Sequence, residues 1–362
     1  MIDPETDEVP EARRKVRAAR LNPTGRFEPE TRVGFDDGWD IDEDLPPLRT
    51  TVSEERARKV VTRNQSPDIS FDRSLNPYRG CEHGCIYCFA RPSHGYLGLS
   101  AGLDFETKLV AKTNAPEALR RELSRPSDVP KPIAIGTNTD PHQPIERDRG
   151  LMRACLEVLQ EFRHPLTIAT KGTLIERDLD ILGEMGQAGL AAVGIGVTTL
   201  DAQLARHMEP RVPAPKRKLA AIRRLAEAGC PVRIMASPIV PGLTDPELEA
   251  ILAAGAEAGA TVASWIMLRL PFEVAPHFRD RVEATYPGRA GKIIARVREM
   301  HGGRDNASRW QHRLRGEGEY AKIIARRFDV ARKRAGLASE IEPLRTDLFS
   351  VPTEPGGQLS LF

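Results

Sequence analysis

The chain has 362 residues, of which 40% are hydrophobic and 29% charged, and its formal net charge is +2 at pH 7. These values are ordinary for a soluble protein of one large or two medium domains. No apolar run approaches the roughly 20 residues that span a bilayer. The first residues also lack the apolar stretch of a secretory signal, so we expect a cytoplasmic protein that does not insert into membranes.

The chain begins with an acidic, proline-bearing segment. Residues 1–50 contain 13 acidic and 8 basic side chains and show little hydrophobic periodicity. Such a composition predicts a poorly ordered or loosely docked segment, which we place at residues 1–66.

Short β-branched runs alternate with longer helical patterns beyond this segment. Six strands are predicted, at Ser70–Pro77, Pro132–Asn138, Leu166–Thr170, Ala191–Thr198, Pro231–Ser237 and Thr261–Arg269. The segments between them, such as "RGLMRACLEVLQEFR", carry apolar residues at helical spacing. Repeated strand–helix units predict an α/β fold with a parallel sheet, and six units are too few for a closed barrel. We therefore expect an open, partial (β/α)6 barrel over residues 67–270, with its functional site at the carboxyl ends of the strands.

The remainder of the chain divides into a helical region at 271–345 and a polar tail at 346–362. Residues 279–334 hold 16 basic and 7 acidic side chains. Such a basic region suits a polyanionic partner, and it equally suits a solvated helical face. The sequence leaves both interpretations open.

Three of the five cysteines form a compact motif, C-x3-C-x2-C, through Cys81, Cys85 and Cys88. An odd number of cysteines, three of them close together, argues against a disulfide framework. Cys155 and Cys230 lie in apolar patterns and are expected to be buried in the core. Three thiolates leave one iron of a [4Fe–4S] cluster open to a small molecule, whereas a zinc site needs a fourth ligand, for which His83 and His94 are the candidates.

With Tyr87 as its aromatic residue, the motif C-x3-C-x-aromatic-C resembles that of the radical SAM superfamily. The resemblance implies a [4Fe–4S] cluster on the three cysteines and S-adenosylmethionine as the second cofactor. In that family an electron cleaves S-adenosylmethionine to a 5′-deoxyadenosyl radical, and the aromatic residue lies by the adenine. An electron donor such as flavodoxin or ferredoxin is also implied.

Four further segments resemble the spore photoproduct lyase branch of that superfamily: "GTNTDPHQPIE", "IATKGTLIERDLDIL", "VTTLDAQLARHMEPRVPAP" and "LAEAGCPVRIMASPIVPG". Carried over to this chain, Thr139 and Asp140 would replace the motif that binds the amino group of S-adenosylmethionine. Lys171 would pair with its carboxylate, and Thr198 would meet its ribose.

One departure from that branch concerns the hydrogen-atom donor. The lyases have a cysteine three residues before the Asp, and this chain has Thr137 there. Because an O–H bond is too strong for that role, we expect a different substrate or mechanism. Tyr87 and Tyr96 are alternative relays, and the sequence does not select between them.

The chain ends in "QLSLF", from Gln358 to Phe362. This peptide resembles those with which bacterial proteins bind the DNA polymerase sliding clamp. Leu361 and Phe362 would fill an apolar pocket beside Leu359, and Gln358 would bond at its rim. The alternative is a tail that packs on its own domain.

The leading hypothesis is a radical SAM enzyme acting by hydrogen abstraction on nucleic acid, as in DNA repair, with basic residues of the C-terminal region on the phosphates. A second hypothesis keeps this chemistry on a small molecule or peptide. A third is a regulatory protein with a structural or redox-sensing iron–sulfur or zinc site and no catalysis.

Overall fold

The computed structural model describes residues 8–14, 16–28, 30–31, 46–125 and 130–352. Within these ranges the chain forms two β-sheets and a set of surrounding helices. None of the helices found there has both the length and the apolar character needed to cross a membrane.

The larger sheet has seven strands and carries the functional site. The strands of the protein, β1 to β10 in chain order, are Thr51–Glu55, Val61–Arg63, Arg73–Leu75, Tyr78–Arg79, Lys108–Lys112, Ile133–Ile135, Leu166–Thr170, Ala191–Gly196, Val232–Ile239 and Val262–Met267. The larger sheet has the order β10-β9-β8-β7-β6-β3-β2, in which only the edge strand β2 runs antiparallel. Six parallel strands in this order confirm the predicted α/β fold and its partial barrel.

Helices connect and cover these strands. The α-helices are Glu11–Arg14, Leu103–Thr107, Ala115–Leu123, Glu146–Arg149, Leu151–Glu161, Leu179–Gln187, Ala202–Met208, Pro215–Glu227, Leu248–Glu257, Val274–Thr285, Pro287–Met300 and Gly318–Arg334. Short 3₁₀ helices occupy Arg91–Leu97, Thr173–Asp178 and Asp245–Glu247. The last three α-helices confirm the predicted helical, basic extension.

The helices dock through their apolar stripes. In Leu151–Glu161, the residues Met152, Cys155, Leu156 and Leu159 repeat at helical spacing and are buried in the main core. Strand β8 is buried along its whole length, as expected for a central strand of a parallel sheet. Cys155 and Cys230 both lie in this core, as their apolar surroundings predict.

A second, three-stranded sheet has the order β1-β5-β4, with β1 parallel to β5. Its strand β1 and the edge strand β2 lie inside residues 1–66, for which the sequence predicts no regular structure. Ala18, Ala19 and Leu21 of the same segment are buried. The division into four segments remains a prediction, and the C-terminal "QLSLF" lies outside the described residues.

Candidate active site

The three clustered cysteines lie in a loop that follows β4, and we call residues 81–88 the cysteine loop. Cys81 and Cys85 are buried and Cys88 is partly buried, and all three thiols are free. The amide of Ile86 donates to the carbonyl of Met208, and Tyr87 reaches Thr198 just beyond β8. These contacts place the loop at the carboxyl ends of the parallel strands, where sites form in such sheets.

Arg91, which is fully buried, holds the cysteine loop in shape. Its guanidinium donates to the carbonyls of Gly84 and Cys85 at 3.0 and 3.1 Å and to the carboxylate of Glu106 at 2.6 Å. Two more carbonyls, those of Ala101 and Gly102, accept from the same group at 3.1 Å. A guanidinium has five N–H donors in a fixed plane, so one side chain ties the loop to the helix that carries Glu106.

Gly84 is the tightest point of the loop. Its φ is +64°, and a Cβ there would lie 2.6 Å from Oε2 of Glu106. Only glycine combines this backbone conformation with so close an approach.

The structure brings Tyr87, Lys171 and Thr198 together. The hydroxyls of Tyr87 and Thr198 are 3.1 Å apart, and Lys171 Nζ donates to the Thr198 hydroxyl at 3.1 Å. The same ammonium donates to the carbonyl of Ser237 at 2.9 Å and lies 5.6 Å from the Tyr87 ring centroid. A cation, two hydroxyls and an aromatic face therefore share one corner of the site.

Glu209 completes this corner and is not predicted from the sequence. It is buried and accepts hydrogen bonds from Thr198 at 2.6 Å, from Lys218 at 3.0 Å and from Tyr87, and it pairs with Lys171 at 3.2 Å. A glutamate placed between two lysines neutralises charges that would otherwise repel each other in a buried site. Its position in the sequence, after a short helix, does not distinguish it from a surface residue.

Burial sets the protonation of this corner. Burial, with a smaller contribution from the charge of Lys218, lowers the pKa of Lys171 to about 8. Burial also raises the pKa of the Cys81 and Cys85 thiols. Thiolates here need a compensating positive charge, which iron ions supply.

Asp140 organises the strand ends rather than presenting a free carboxylate. It accepts hydrogen bonds from the Thr170 hydroxyl at 2.5 Å, the Lys171 amide at 2.7 Å and the His142 amide at 2.9 Å. Burial opposes its ionisation, but the charge of His83 and these hydrogen bonds outweigh burial and hold the pKa of Asp140 below its usual range. The carboxylate therefore fixes the backbone on which Lys171 stands.

Thr139 is not part of the corner formed by Lys171, Thr198 and Glu209. Its hydroxyl donates to the carbonyl of Tyr78 at 3.0 Å, and its side chain is buried. This contact anchors the turn after β6 to β4. A role for the Thr139 side chain in binding a cofactor remains a prediction.

The two histidines near the loop have other partners. His83 Nδ1 lies 3.2 Å from Asp140, and His94 Nε2 is 2.8 Å from the carbonyl of Lys108. In the part of the chain that the structure describes, no three His, Cys, Asp or Glu side chains converge as ligands of a single metal ion. A four-iron cluster does not need such convergence, since each thiolate binds a different iron.

Aromatic and basic side chains lie at the rim of the site. Phe89 follows Cys88, is half exposed and lies 4.9 Å below the guanidinium of Arg269. Among the described residues no carboxylate pairs with Arg269.

Tyr96 is exposed and stacks on Phe27, with the two ring centroids 5.1 Å apart. Thr137 accepts a hydrogen bond from Asn76 at 3.1 Å, and its correspondence to the cysteine of the lyases remains a prediction.

An α/β partial barrel with three free thiols at its carboxyl edge defines a class of iron–sulfur enzymes. A model of the radical SAM superfamily matches residues 75–254. An uncharacterized protein of Mycobacterium tuberculosis is 38% identical over 235 residues, which cover 64% of this chain and 68% of the relative. One from Methanocaldococcus jannaschii is 27% identical over 192 residues, covering 53% of this chain and 69% of the relative. The chain belongs to the radical SAM superfamily.

Solved structures support the same fold. Spore photoproduct lyase complexed with dinucleoside spore photoproduct superposes with a TM-score of 0.57 at 15% identity, covering 79% of this chain and 80% of that one. A mutant spore photoproduct lyase with bound AdoMet and dinucleoside spore photoproduct superposes with a TM-score of 0.55 at 15% identity, again covering 79% of this chain and 80% of that one. At this identity the similarity concerns the fold alone.

Membership in this superfamily makes the protein an enzyme with a [4Fe–4S] cluster and S-adenosylmethionine as its cofactors. The residues present fit these groups. Three free thiols in one loop are the donor set of a cluster with an open iron, and Lys171 and Thr198 supply a cation and a hydroxyl beside it.

Proposed function

We propose that the protein abstracts a hydrogen atom from a nucleic-acid substrate, in a repair-like reaction that differs from that of spore photoproduct lyase. The proposal rests on one observation: the cysteine loop, Lys171 and Thr198 lie together at the carboxyl edge of the sheet. When bound, the cluster supplies the electron that cleaves S-adenosylmethionine to a 5′-deoxyadenosyl radical.

In this proposal the side chains of the chain bind and orient. Cys81, Cys85 and Cys88 hold the cluster, and Arg91 keeps their loop in shape. Lys171 faces the carboxylate of S-adenosylmethionine, since an ammonium is a compact charge with three donors. Thr198 meets the ribose and Tyr87 lies by the adenine, while Asp140 and Glu209 position Lys171.

Three observations support nucleic acid as the substrate class. The solved lyases of the same fold bind a dinucleoside photoproduct. The rim carries Phe89 with Arg269 above it, the pairing on which bases stack in single-strand binding proteins. The extension over residues 279–334 is basic. Thr137 cannot donate a hydrogen atom, so the donor step differs from that of the lyases.

The test is anaerobic reconstitution with iron and sulfide, followed by S-adenosylmethionine and dithionite, with 5′-deoxyadenosine measured by mass spectrometry. We expect the product from the parent and from the control Cys155→Ala, Cys230→Ala, and none from the triple alanine variant of Cys81, Cys85 and Cys88. Equal yields from all three proteins would refute the assignment of the cluster ligands.

The substrate class is tested separately by nucleic-acid binding at increasing salt. Neutralised phosphates release counterions, so binding through a basic surface weakens steeply with salt. If no nucleic acid binds to the parent, the substrate is a small molecule or peptide and the basic region is structural. The electron donor and the sliding clamp remain predicted partners.

A further inference from the structure

A second concave site lies outside the corner just described. A cavity of about 450 Å³ separates the loop after β9 from the helix Pro287–Met300. Pro241 and Gly242 line it on the side of the loop, Ile293 lines it on the side of the helix, and Tyr320 of the helix Gly318–Arg334 also lines it. We call it the basic cavity, because its remaining lining residues are Arg289, Lys292 and Arg296.

The three cations form a row along one face of their helix. They are three and four residues apart, so the backbone positions of Arg289 and Arg296 are about 10 Å apart along the helix axis. Arg296 pairs with Glu299 at 2.8 Å and lies 5.0 Å from the Tyr320 ring centroid. Among the described residues no carboxylate pairs with Arg289 or Lys292, and both are exposed.

Among the residues that the structure describes, no acidic side chain lines the cavity. Two acids lie next to lining residues: Asp245 is bonded to the Tyr320 hydroxyl at 2.7 Å and to the Gly242 amide, and Glu299 pairs with Arg296. The cavity is therefore positive on one wall and apolar on the other. This combination suits a sugar–phosphate chain, which presents both an anionic and an apolar surface.

The basic cavity lies at the carboxyl end of β9, and the cysteine loop also lies at the carboxyl ends of the strands. Pro241 lies four residues beyond Ser237, whose carbonyl accepts from Lys171. Four residues span at most about 14 Å, the length of about four nucleotides of a B-form strand. A strand with one nucleotide at the cysteine loop therefore has the reach to extend into the cavity.

We propose that the basic cavity binds the phosphodiester backbone of the nucleic-acid strand whose reacting nucleotide lies at the cysteine loop. The inference rests on the proposed function and names a second contact of the same substrate. A row of cations matches successive phosphates, whereas a single phosphate ion calls for donors that converge on one point. The occupant is thus a polymeric backbone rather than a free anion.

The test compares two variants that each remove two exposed positive charges. R289Q/K292Q changes the cavity, and the matched control K216Q/R223Q changes another helix, Pro215–Glu227. Binding of a labelled single-stranded oligonucleotide to the reconstituted full chain is followed by fluorescence anisotropy, between about 50 and 200 mM salt. We expect R289Q/K292Q to bind about tenfold or more weakly and to lower the slope of log K against log salt by about two. The control is expected to bind as the parent does.

Each contrary outcome has a distinct meaning. If R289Q/K292Q binds with the affinity and slope of the parent, the cavity proposal is wrong while the proposed substrate class stands. If the parent binds no nucleic acid, the substrate class and the cavity proposal both fail. If inorganic phosphate displaces the oligonucleotide at the same phosphate concentration as unlabelled strand, the cavity takes single anions and the proposal is overturned. Thermal unfolding of each variant confirms that it is folded.

Discussion

Glu209 balances the positive charges in the corner that it forms with Lys171 and Thr198. It lies between the buried ammonium of Lys218 and that of Lys171, at 3.0 and 3.2 Å. Removing one member of a buried ionic group leaves the others uncompensated, which costs more than the group contributes as a whole. Glu209 therefore acts on the site through Lys171 as a positioning residue.

We expect Glu209→Gln to lower the free energy of unfolding by about 3 kcal/mol, because it leaves two like charges facing each other without a counter-ion. Adding Lys218→Met should recover much of that loss, since it removes one of the two charges. Urea unfolding of the single and double variants measures both, with the exposed Glu257→Gln as control. Strictly additive effects of the two substitutions would show that the residues do not interact.

His277 predicts a dependence of stability on pH. It is almost fully buried, neither ring nitrogen has a partner among the described residues, and burial lowers its pKa to about 3. An unfolded chain takes up this proton near pH 6.5, whereas the folded chain does not. Stability is therefore complete above pH 6.5 and falls as the pH drops from 6.5 toward 3.

We expect His277→Leu to remove this part of the acid sensitivity. One pH unit below the unfolded pKa, the parent loses about 1.4 kcal/mol through His277, and the variant does not. Urea unfolding of the parent and the variant at about pH 7.5 and 5.5 gives the stability that each protein loses between the two pH values. The other buried histidines are the same in both proteins, so their contributions cancel when the two losses are compared. The prediction fails if the parent and the variant lose equal stability between the two values.

At the scale of elements, the cysteine loop depends on Gly84 as much as on its thiols. Gly84 and Gly98 both have positive φ, +64° and +66°, but only Gly84 has a close neighbour, the Glu106 carboxylate. Alanine at either position strains the backbone by about 1 to 2 kcal/mol. At Gly84 it also collides with a carboxylate that is held by Arg91.

We expect Gly84→Ala to bind clearly less iron after reconstitution and to unfold at a lower temperature than Gly98→Ala. The matched pair separates the cost of positive φ, which both variants share, from the displacement of Glu106. Iron per chain and thermal unfolding are the measurements. Equal iron contents in the two variants would show that the contact between Gly84 and Glu106 does not shape the loop.

The same scale shows which elements are predictable from the sequence. Strand β7 is predicted to the residue, because "LTIAT" is an apolar β-branched run bounded by a proline and a lysine. Strand β5, "KLVAK", is missed, since five residues with charged ends give little pattern and its partner β1 lies 57 residues earlier. Pairing over such a separation follows from the fold rather than from local composition.

For the site, the spacing of the cysteines identifies the loop, and the resemblance to a known family places Lys171 and Thr198 at strand ends. Glu209, Arg91 and Glu106 are not predicted. Each is a charged residue that is buried only because another strand or loop lies against it. The hydrophobic periodicity of the sequence does not indicate such burial. Buried ion pairs are set by tertiary structure, which the local pattern does not contain.

At the scale of the whole molecule, the acidic start of the chain is attached to the site. The amides of Ala18 and Ala19 donate to the Glu106 carboxylate at 3.0 Å, and Arg17 donates to the Glu106 carbonyl at 2.8 Å. These residues are buried. Since Glu106 also holds Arg91, its carboxylate joins the segment to the cysteine loop, and Thr50 of the segment donates to Glu82 of the loop at 2.5 Å.

A chain that lacks residues 1–22 should therefore lose its cluster faster in air. Removing these residues uncovers Glu106 and leaves its carboxylate with fewer donors, so the loop around the thiols opens more often and admits oxygen and water. Decay of the iron–sulfur absorbance near 400 nm after exposure to air measures this rate. Arg17→Ala keeps the covering segment but loses its bonds to the Glu106 carbonyl and to Thr50, and we expect an intermediate rate. A truncated chain that decays at the parent's rate would show that the segment lies on the loop without protecting it.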